Sequence, residues 1–301
     1  MKAVKEKAYA KINLYLDVTA KRSDGFHEVE TVMHAISLCD YITVEVITHG
    51  YAEITLIIDG DSSLPTDSRN LVVRAACTYL TRAGITDGIR ITLEKRIPVA
   101  AGLAGGSSDA AATLRALNRL YGGRLTDGEL LLLAAELGSD VPYLVHGGTA
   151  FCFGRGELIE PLPPLSGLNI VVAIADGESV STPAAYGAID ALYSDFKTSR
   201  AGDPRAKLAL LKQGIIEGKL DTSGLYNIFE NAIFPICSGA ESLKRKLVEL
   251  GAIAALMSGS GPSVYGLFES EASARLAESE LRALGCRAFF VRSFDESQNI
   301  L

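Results

Sequence analysis

The stretch IPVAAGLAGGSSDAAATL, residues 97–114, carries the strongest local signal in this sequence. The residues before it, GIRITLEKRI at 88–97, have the composition of a β-strand that runs into Pro98. After the glycines, apolar residues recur at three- and four-residue intervals, which predicts a helix from about Ser107 to Tyr121. The stretch is therefore a strand, a tight turn and a helix in succession.

The turn has the features of a phosphate-binding loop. Gly102, Gly105 and Gly106 are expected to permit positive φ angles and close approach of the backbone. Free amide groups at the start of the helix, the positive end of its dipole and the hydroxyls of Ser107 and Ser108 would converge on one point. Such a point suits a chain of phosphates.

Two common phosphate motifs do not fit the spacing. A P-loop requires Lys and then Ser or Thr after its last glycine, whereas Gly106 is followed by Ser107 and Ser108. The dinucleotide pattern G-x-G-x-x-G does not occur at this turn. Glycines and serines also cap helices in proteins that bind no ligand, so a purely structural cap remains the alternative.

The residues on the N-terminal side of this stretch predict a sheet and a helix. Residues 5–18 alternate as a strand does, and 40–48 and 52–59 are β-branched runs that predict an antiparallel hairpin. Residues 70–84 have helical spacing and end at a glycine. On the C-terminal side, a capping-box pattern predicts a helix that runs from Thr126 to Gly138.

The second half of the chain predicts an α+β domain. Three prolines in 160–167 follow the short strand TAFCF and place a domain boundary there, which gives domains 1–160 and 161–301. Beyond the boundary, strands alternate with helices, as expected for an antiparallel sheet with helices on one face. The predicted strands are 168–175, 262–268 and 286–294, and the predicted helices are near 204–217, 238–250 and 270–284.

Composition excludes several classes of protein. The formal net charge of −7 argues against nucleic-acid binding, which draws on clustered Lys and Arg. The five cysteines are odd in number and widely spaced, without a C-x-x-C pair, so neither a disulfide framework nor a zinc site is expected. The first residues lack the apolar core of a signal peptide, and no apolar run is long enough to span a bilayer. We expect a cytoplasmic enzyme with no membrane partner, as a monomer or homodimer.

Several segments, taken in order along the chain, resemble the motifs of the GHMP kinases. The 97–114 stretch is similar to their P-x-x-x-G-L-x-S-S-A loop, in the longer form of the branch that acts on a cytidylated alcohol. The other matching segments are AYAKINLYLDV (8–18), KRSDGFHEVETVMHAISLCDYI (21–42), LGSDVPYLVHGGTAFCFGRGE (137–157) and ALMSGSGPSVYGLF (255–268).

The resemblance implies a set of site residues. It implies that Asp140 is the catalytic carboxylate and that Lys11 keeps it ionised beside the accepting hydroxyl. The implied substrate-binding residues are Asn13, Phe26, His27 and Thr182. Asn70 and Lys95 match positions beside the nucleotide base, whereas the match of Tyr186 leaves its role open. The residues implied to bind the ATP phosphates are Pro98, Val99, Ala100, Ala101, Gly102, Leu103, Ala104, Gly105, Gly106, Ser107 and Ser108.

When each residue is considered alone, the local sequence favours a structural role over a functional one. Without the resemblance, Lys11 is a solvated charge on an edge strand and Asp140 a turn residue before Pro142. Likewise, His27 is a turn histidine and Phe26 a core residue. The resemblance favours the functional interpretation of all four residues. For Phe26 and His27 that interpretation is physically reasonable, since an aromatic face can stack on a pyrimidine and an imidazole can bind its edge.

The resemblance also implies a fold and a reaction. The fold is α+β, with an N-terminal ribosomal-protein-like domain and a C-terminal ferredoxin-like domain around a shared cleft. The reaction is transfer of the γ-phosphoryl group of ATP, with Mg²⁺, to a hydroxyl of a small cytidylated alcohol. The ligands of Mg²⁺ are not identified, and Ser108 is the nearest candidate. The alternatives are a GHMP kinase of the homoserine or mevalonate type and a catalytically silent nucleotide sensor. One departure is LYNIFENAIFP at 225–235, where the family has an Asn-Asp-Leu-Glu run.

Overall fold

The computed structural model describes residues 3–51, 53–175, 177, 180–193, 196 and 203–294. By its contacts the chain divides into two compact units. The first unit comprises Met1–Ala10, Leu38–Val99 and Ala104–His146, and the second comprises Lys11–Ser37, Ala100–Leu103 and Gly147–Leu301. The predicted boundary near residue 160 follows the order of the chain rather than its contacts, and it stays a prediction.

The described residues form both strands and helices, grouped in runs rather than in strict alternation, which fits the predicted α+β class. The strands are β1 (Ala3–Lys21), β2 (His27–Thr48), β3 (Ile54–Asp59), β4 (Gly88–Glu94), β5 (Thr149–Gly154), β6 (Leu158–Leu162), β7 (Asn169–Ile174), β8 (Tyr226–Asn227), β9 (Ala254–Met257), β10 (Val264–Phe268) and β11 (Arg287–Arg292). The helices are α1 (Leu71–Ala83), α2 (Gly105–Leu120), α3 (Asp127–Leu137), α4 (Val141–His146), α5 (Thr182–Leu192), α6 (Pro204–Ile216), α7 (Phe229–Ile233), α8 (Ser238–Glu249) and α9 (Glu271–Ala283), with a 3-10 turn at Thr222–Gly224.

In the first unit, β4 lies between β2 and β3, and the predicted hairpin is wrong. β4 pairs antiparallel with residues 41–48 of β2 and parallel with β3. A parallel pair needs a long crossover, and α1 lies between β3 and β4 in the sequence and packs against β3. The Gly50 turn thus joins two strands that are not neighbours in the sheet.

Helix ends in the first unit follow the sequence signals. The Asn70 side chain accepts a hydrogen bond from the Val72 amide at 3.0 Å, and α1 ends at Gly84 with φ of 63°. Thr126 and Glu129 form the predicted capping box at the start of α3. Helix α2 begins at Gly105, two residues before the predicted start.

In the second unit, β11, β7, β10 and β9 form an antiparallel sheet in that order. Three of these strands, β7, β10 and β11, confirm the predicted ones, whereas β9 was not predicted. Helices α8 and α9 pack on this sheet. Their buried side chains join those of α5 and α7 in one apolar core. Elsewhere in the unit, β5 pairs with residues 29–34 of β2 and with β6, which carries Pro161 on a strand with a single described neighbour.

None of the helices in the described ranges combines the length and hydropathy that a membrane span requires.

Candidate active site

The start of α2, in the first unit, leaves its amide groups without a side-chain cap. The residue before the helix is Ala104, whose methyl group cannot accept a hydrogen bond. The Ser108 hydroxyl donates to the Tyr9 carbonyl at 2.6 Å, so it does not cap the helix. The first amides of a helix have no partner within it, and no side chain of the described residues caps them here, so they can bind an external acceptor. The structural-cap alternative therefore lacks the side chain that it requires.

The positive φ angles of the glycine-rich loop do not fall where the sequence predicted them. Gly102 has φ of 76° as expected, but the other two positive values belong to Ala100 (53°) and Ala104 (56°). Gly105 and Gly106 are helical. At Gly105 a side chain would be crowded, since a Cβ there would lie 3.0 Å from the Lys95 ammonium and from the Ile97 side chain. Gly105 thus serves close approach of the backbone and not an unusual φ.

A buried ion cluster lies under this helix start. The Lys95 ammonium is 2.5 Å from Asp40 and 2.7 Å from Asp109, and all three side chains are at most 5% exposed. Asp40 also accepts hydrogen bonds from the amides of Arg96 and Ile97. Asp40 therefore holds the chain just before the loop, and Lys95 connects it to Asp109 in α2.

Burial and the neighbouring charges act in opposite directions on the pKa values of this cluster. Burial raises the pKa of Asp109, and the Lys95 charge only partly opposes it. One oxygen of Asp109 has no hydrogen-bond partner among the described residues. Burial lowers the pKa of Lys95, but Asp109 and Asp40 outweigh it and leave that pKa raised. Lys95, predicted to lie beside the nucleotide base, thus has its ammonium engaged inside the protein.

Two other predicted residues of the first unit lie at helix starts. Asp140 is half-buried in the turn before α4, and its carbonyl accepts from the Leu144 amide. Asn70, predicted to line the base pocket, caps α1 and donates from its side-chain amide to the Pro65 carbonyl at 2.8 Å. Both groups of the Asn70 side chain therefore have a protein partner.

In the second unit, Lys11 and Asn13 form one buried network. The Lys11 ammonium donates to the Asn13 side-chain oxygen at 2.7 Å and to the Gly102 carbonyl at 3.1 Å. The same Asn13 oxygen accepts the Gly259 amide at 2.8 Å, while its side-chain amide donates to Thr31. Lys11 and Asn13 are 4% and 2% exposed. Asn13 thus fixes Lys11 beside the turns at Gly102 and Gly259.

The segment that departs from the family pattern supports the Gly259 turn. The Asn227 side-chain amide donates to the carbonyls of Met257 and Gly259, at 2.7 and 2.8 Å. Glu230 accepts the Met257 amide and pairs with Lys244. The first and last residues of the Asn-Ile-Phe-Glu run therefore make these contacts.

The predicted substrate residues Phe26 and His27 lie at the start of β2. The His27 ring stacks on Tyr186, with ring centroids 4.7 Å apart, and its Nε2 lies 2.7 Å from Asp190. Phe26 is 51% exposed, with the Arg155 guanidinium 5.0 Å from its ring centre. Its exposure contradicts the interpretation of Phe26 as a core residue.

Helix α5 supplies the partners of His27. Thr182, Tyr186 and Asp190 are spaced four residues apart and so share one face of the helix. Thr182 is exposed at the first position of α5, after the capping residue Ser181. Sequence reasoning did not identify Asp190 or Asn227. The four-residue spacing from Tyr186 was an available signal for Asp190, whereas the contact of Asn227 joins residues thirty positions apart.

The helix start fits a phosphate chain better than it fits a metal ion. Uncapped amides beside an exposed Gly106, where a Cβ would meet only the Leu71 side chain at 4.0 Å, leave space for an anion. Among the described residues, no group of three or more His, Cys, Asp or Glu side chains could hold a metal. Ser108 is 2% exposed and has its hydroxyl hydrogen on Tyr9, so it does not form a metal site of its own.

Comparison with known proteins places this arrangement in a family. Residues 70–148 match the GHMP kinases N terminal domain, and residues 211–285 match the GHMP kinases C terminal. The chain is 41% identical to the 4-diphosphocytidyl-2-C-methyl-D-erythritol kinase of Gloeobacter violaceus, over 91% of this chain and 88% of the relative. It is 44% identical to the kinase of the same name from Prochlorococcus marinus, over 90% and 86%.

Solved structures show the same fold. The crystal structure of a 4-(cytidine 5'-diphospho)-2C-methyl-D-erythritol kinase matches with a TM-score of 0.77 and 35% identity, over 97% of this chain and all of that one. A homoserine kinase from Cytophaga hutchinsonii matches with a TM-score of 0.74 at 23% identity, over 98% and 95%. The second likeness is one of fold alone.

Proposed function

This chain belongs to the GHMP kinases, within the group of 4-diphosphocytidyl-2-C-methyl-D-erythritol kinases, and we propose that it phosphorylates the 2-hydroxyl of 4-diphosphocytidyl-2-C-methyl-D-erythritol with ATP. The products would be the 2-phosphate and ADP, in the methylerythritol phosphate route to isoprenoid precursors. The observation that carries the proposal is identity of about 40% over nine-tenths of the chain with kinases of that name.

The phosphate loop is proposed to be residues 98–108. Its support is the start of α2, where Ala104 provides no cap and the amides of the first turn face outward from a helix end. Phosphoryl transfer depends on positioning and on stabilising charge more than on covalent chemistry by the protein. Backbone amides at a helix start meet both needs, because they are fixed in direction and carry partial positive charge. The predicted domains, 1–160 and 161–301, are proposed to correspond to the two halves of the family fold.

Lys11 and Asp140 are proposed to act on the accepting hydroxyl. The role of Asp140 would be to accept the hydroxyl proton as phosphoryl transfer proceeds. Lys11 would stabilise the developing negative charge, and its contacts with Asn13 and Gly102 restrict the position of its ammonium. The contacts of Asn13 support a role in positioning Lys11, alongside its proposed role on the substrate side.

The cytidine end of the substrate is proposed to bind at Phe26 and His27. The exposed Phe26 ring offers a face for stacking a base, and the His27 ring, held against Tyr186, offers a polar edge. Thr182, exposed on the same face of α5 as Tyr186, is proposed to contact the substrate nearby. These features favour a nucleotide-bearing acceptor over a small alcohol such as homoserine or mevalonate.

Mg²⁺ is proposed to enter with ATP and not to occupy a site preformed by the protein. Mg²⁺ usually keeps several waters and binds through substrate phosphates and one or two carboxylates. When bound, it would neutralise part of the phosphate charge during transfer. The described residues offer no dedicated ligand set for it. A location in the cytoplasm and a monomeric or homodimeric state complete the proposal.

The test is a coupled assay of ADP release with ATP, Mg²⁺ and 4-diphosphocytidyl-2-C-methyl-D-erythritol, run beside homoserine and mevalonate. Release that depends on the cytidylated alcohol and is lost in Asp140→Ala supports both the reaction and the carboxylate. A second variant, Glu136→Ala, removes an exposed carboxylate from α3 and should retain activity. Turnover of another alcohol alone would contradict the substrate. ATP binding without turnover of any of them would favour a silent nucleotide sensor.

A further inference from the structure

The partner of His27 on α5 determines which of its ring nitrogens carries the proton. Asp190 lies 2.7 Å from Nε2 of His27, and its other carboxylate oxygen lies 2.5 Å from the Lys21 ammonium. Burial raises the pKa of Asp190, but the contacts with Lys21 and His27 outweigh it and leave that pKa lowered. The carboxylate is therefore ionised at neutral pH and can only accept hydrogen bonds.

Because the Asp190 carboxylate can only accept, Nε2 of His27 must carry the proton and donate it to that carboxylate. In a neutral imidazole one nitrogen carries the proton and the other accepts, so protonated Nε2 makes Nδ1 an acceptor. Among the described residues, Nδ1 has no hydrogen-bond partner. The ring is also held in its plane, with Tyr186 stacked on it and Phe196 edge-on at 6.1 Å. His27 thus presents one fixed acceptor.

A fixed acceptor distinguishes the two common pyrimidines. Cytosine has an amino group, a donor, at the position where uracil has a carbonyl oxygen, an acceptor. Nδ1 of His27 can bind the amino group, whereas the carbonyl oxygen would face it without a proton between them. A buried polar group left without a partner disfavours binding by about tenfold to a hundredfold.

We propose that Asp190 is a specificity-determining residue that fixes the tautomer of His27 and thereby selects cytosine over uracil. This inference rests on the proposed function, because it assumes that His27 faces the base. Asp190 itself is a positioning residue and does not touch the base. Tyr186 and Asp190 lie four residues apart on α5, so a single helix face both stacks on the imidazole and hydrogen-bonds it.

The test measures binding of cytidine 5'-diphosphate and uridine 5'-diphosphate by calorimetry. The full chain should prefer the cytidine nucleotide by about tenfold or more. In Asp190→Asn, the side-chain amide can donate to Nε2 or accept from it, so the preference should fall to within about threefold. Asp190→Glu retains a carboxylate and should keep most of the preference. Asp221→Asn removes a carboxylate whose hydrogen bonds within the described residues are to Ser223, and it should leave the preference unchanged.

Nitrogen-15 spectra of the imidazole report the tautomer itself, and an unchanged melting temperature of Asp190→Asn would show that its spectrum does not come from unfolding. At pH 8 without nucleotide, His27 should carry its proton on Nε2 in the full chain and as a mixture of tautomers in Asp190→Asn. A proton on Nδ1 in the full chain overturns the inference, as does equal binding of the two nucleotides or no binding of either. Failure of the kinase assay with the cytosine preference intact would overturn the proposed function alone.

Discussion

Replacing Lys95 by methionine is expected to destabilise the protein by about 3 kcal/mol. Breaking a buried ion pair by removing one partner costs about 3–5 kcal/mol. Here the Lys95 side chain is 5% exposed, and its partners Asp40 and Asp109 are 0% and 3% exposed. Two features favour the lower end of that range. Asp40 keeps the amides of Arg96 and Ile97 as donors, and Asp109, whose pKa burial already raises, can take up a proton.

The measurement is urea unfolding followed by circular dichroism at pH 7. Adding Asp40→Asn to Lys95→Met removes the stranded charge but keeps the oxygen that accepts the two amides, so it should restore about 1–2 kcal/mol. Lys5→Met removes an exposed partner of Glu94 in the same unit and should cost less than about 1 kcal/mol. A loss from Lys95→Met no larger than that of Lys5→Met, or no recovery in the double variant, would refute the reasoning.

Three further outcomes are expected. Burial lowers the pKa of His34 to about 4. Below pH 6.5 the unfolded chain therefore binds a proton at this residue that the folded chain does not bind. Urea unfolding between pH 7 and pH 4 should show a loss of stability that is larger by up to about 3 kcal/mol than the loss in His34→Gln. Asn13→Ala should reduce kcat about a hundredfold, because Lys11 loses the hydrogen bond to the Asn13 oxygen; an unchanged kcat would argue against this. Phe26→Ala should raise KM for the cytidylated substrate about tenfold without altering the melting temperature, since the ring is half exposed.

Local signals predicted the elements better than their pairing. The capped helices α1 and α3 and the strands of the antiparallel sheet follow from spacing and cap residues, which act within a few positions. The hairpin of β2 and β3 failed because nothing between residues 48 and 54 indicates that β4 will pair with both strands. Strand order depends on α1 as a crossover, and that is a property of the tertiary structure.

The site could be predicted only in part, for the same physical reason. The motif at 97–114 indicated a phosphate loop, but the residues with unusual φ angles are Ala100 and Ala104, because contacts outside the loop determine its path. Position 105 favours glycine because the Lys95 side chain packs against it. Likewise, sequence indicated His27 but not Asp190, since that hydrogen bond spans 163 positions.

The single oxygen of the Asn13 side chain accepts both the Lys11 ammonium and the Gly259 amide, and the second bond spans 246 positions. In genetic terms, mutations at the two ends of the gene are expected to produce the same phenotype. A screen for loss of function would recover changes at Asn227 or Glu230 that displace the Gly259 turn and, with it, Asn13 and Lys11. Suppressors of a mutation near the start of the gene would then map near its end.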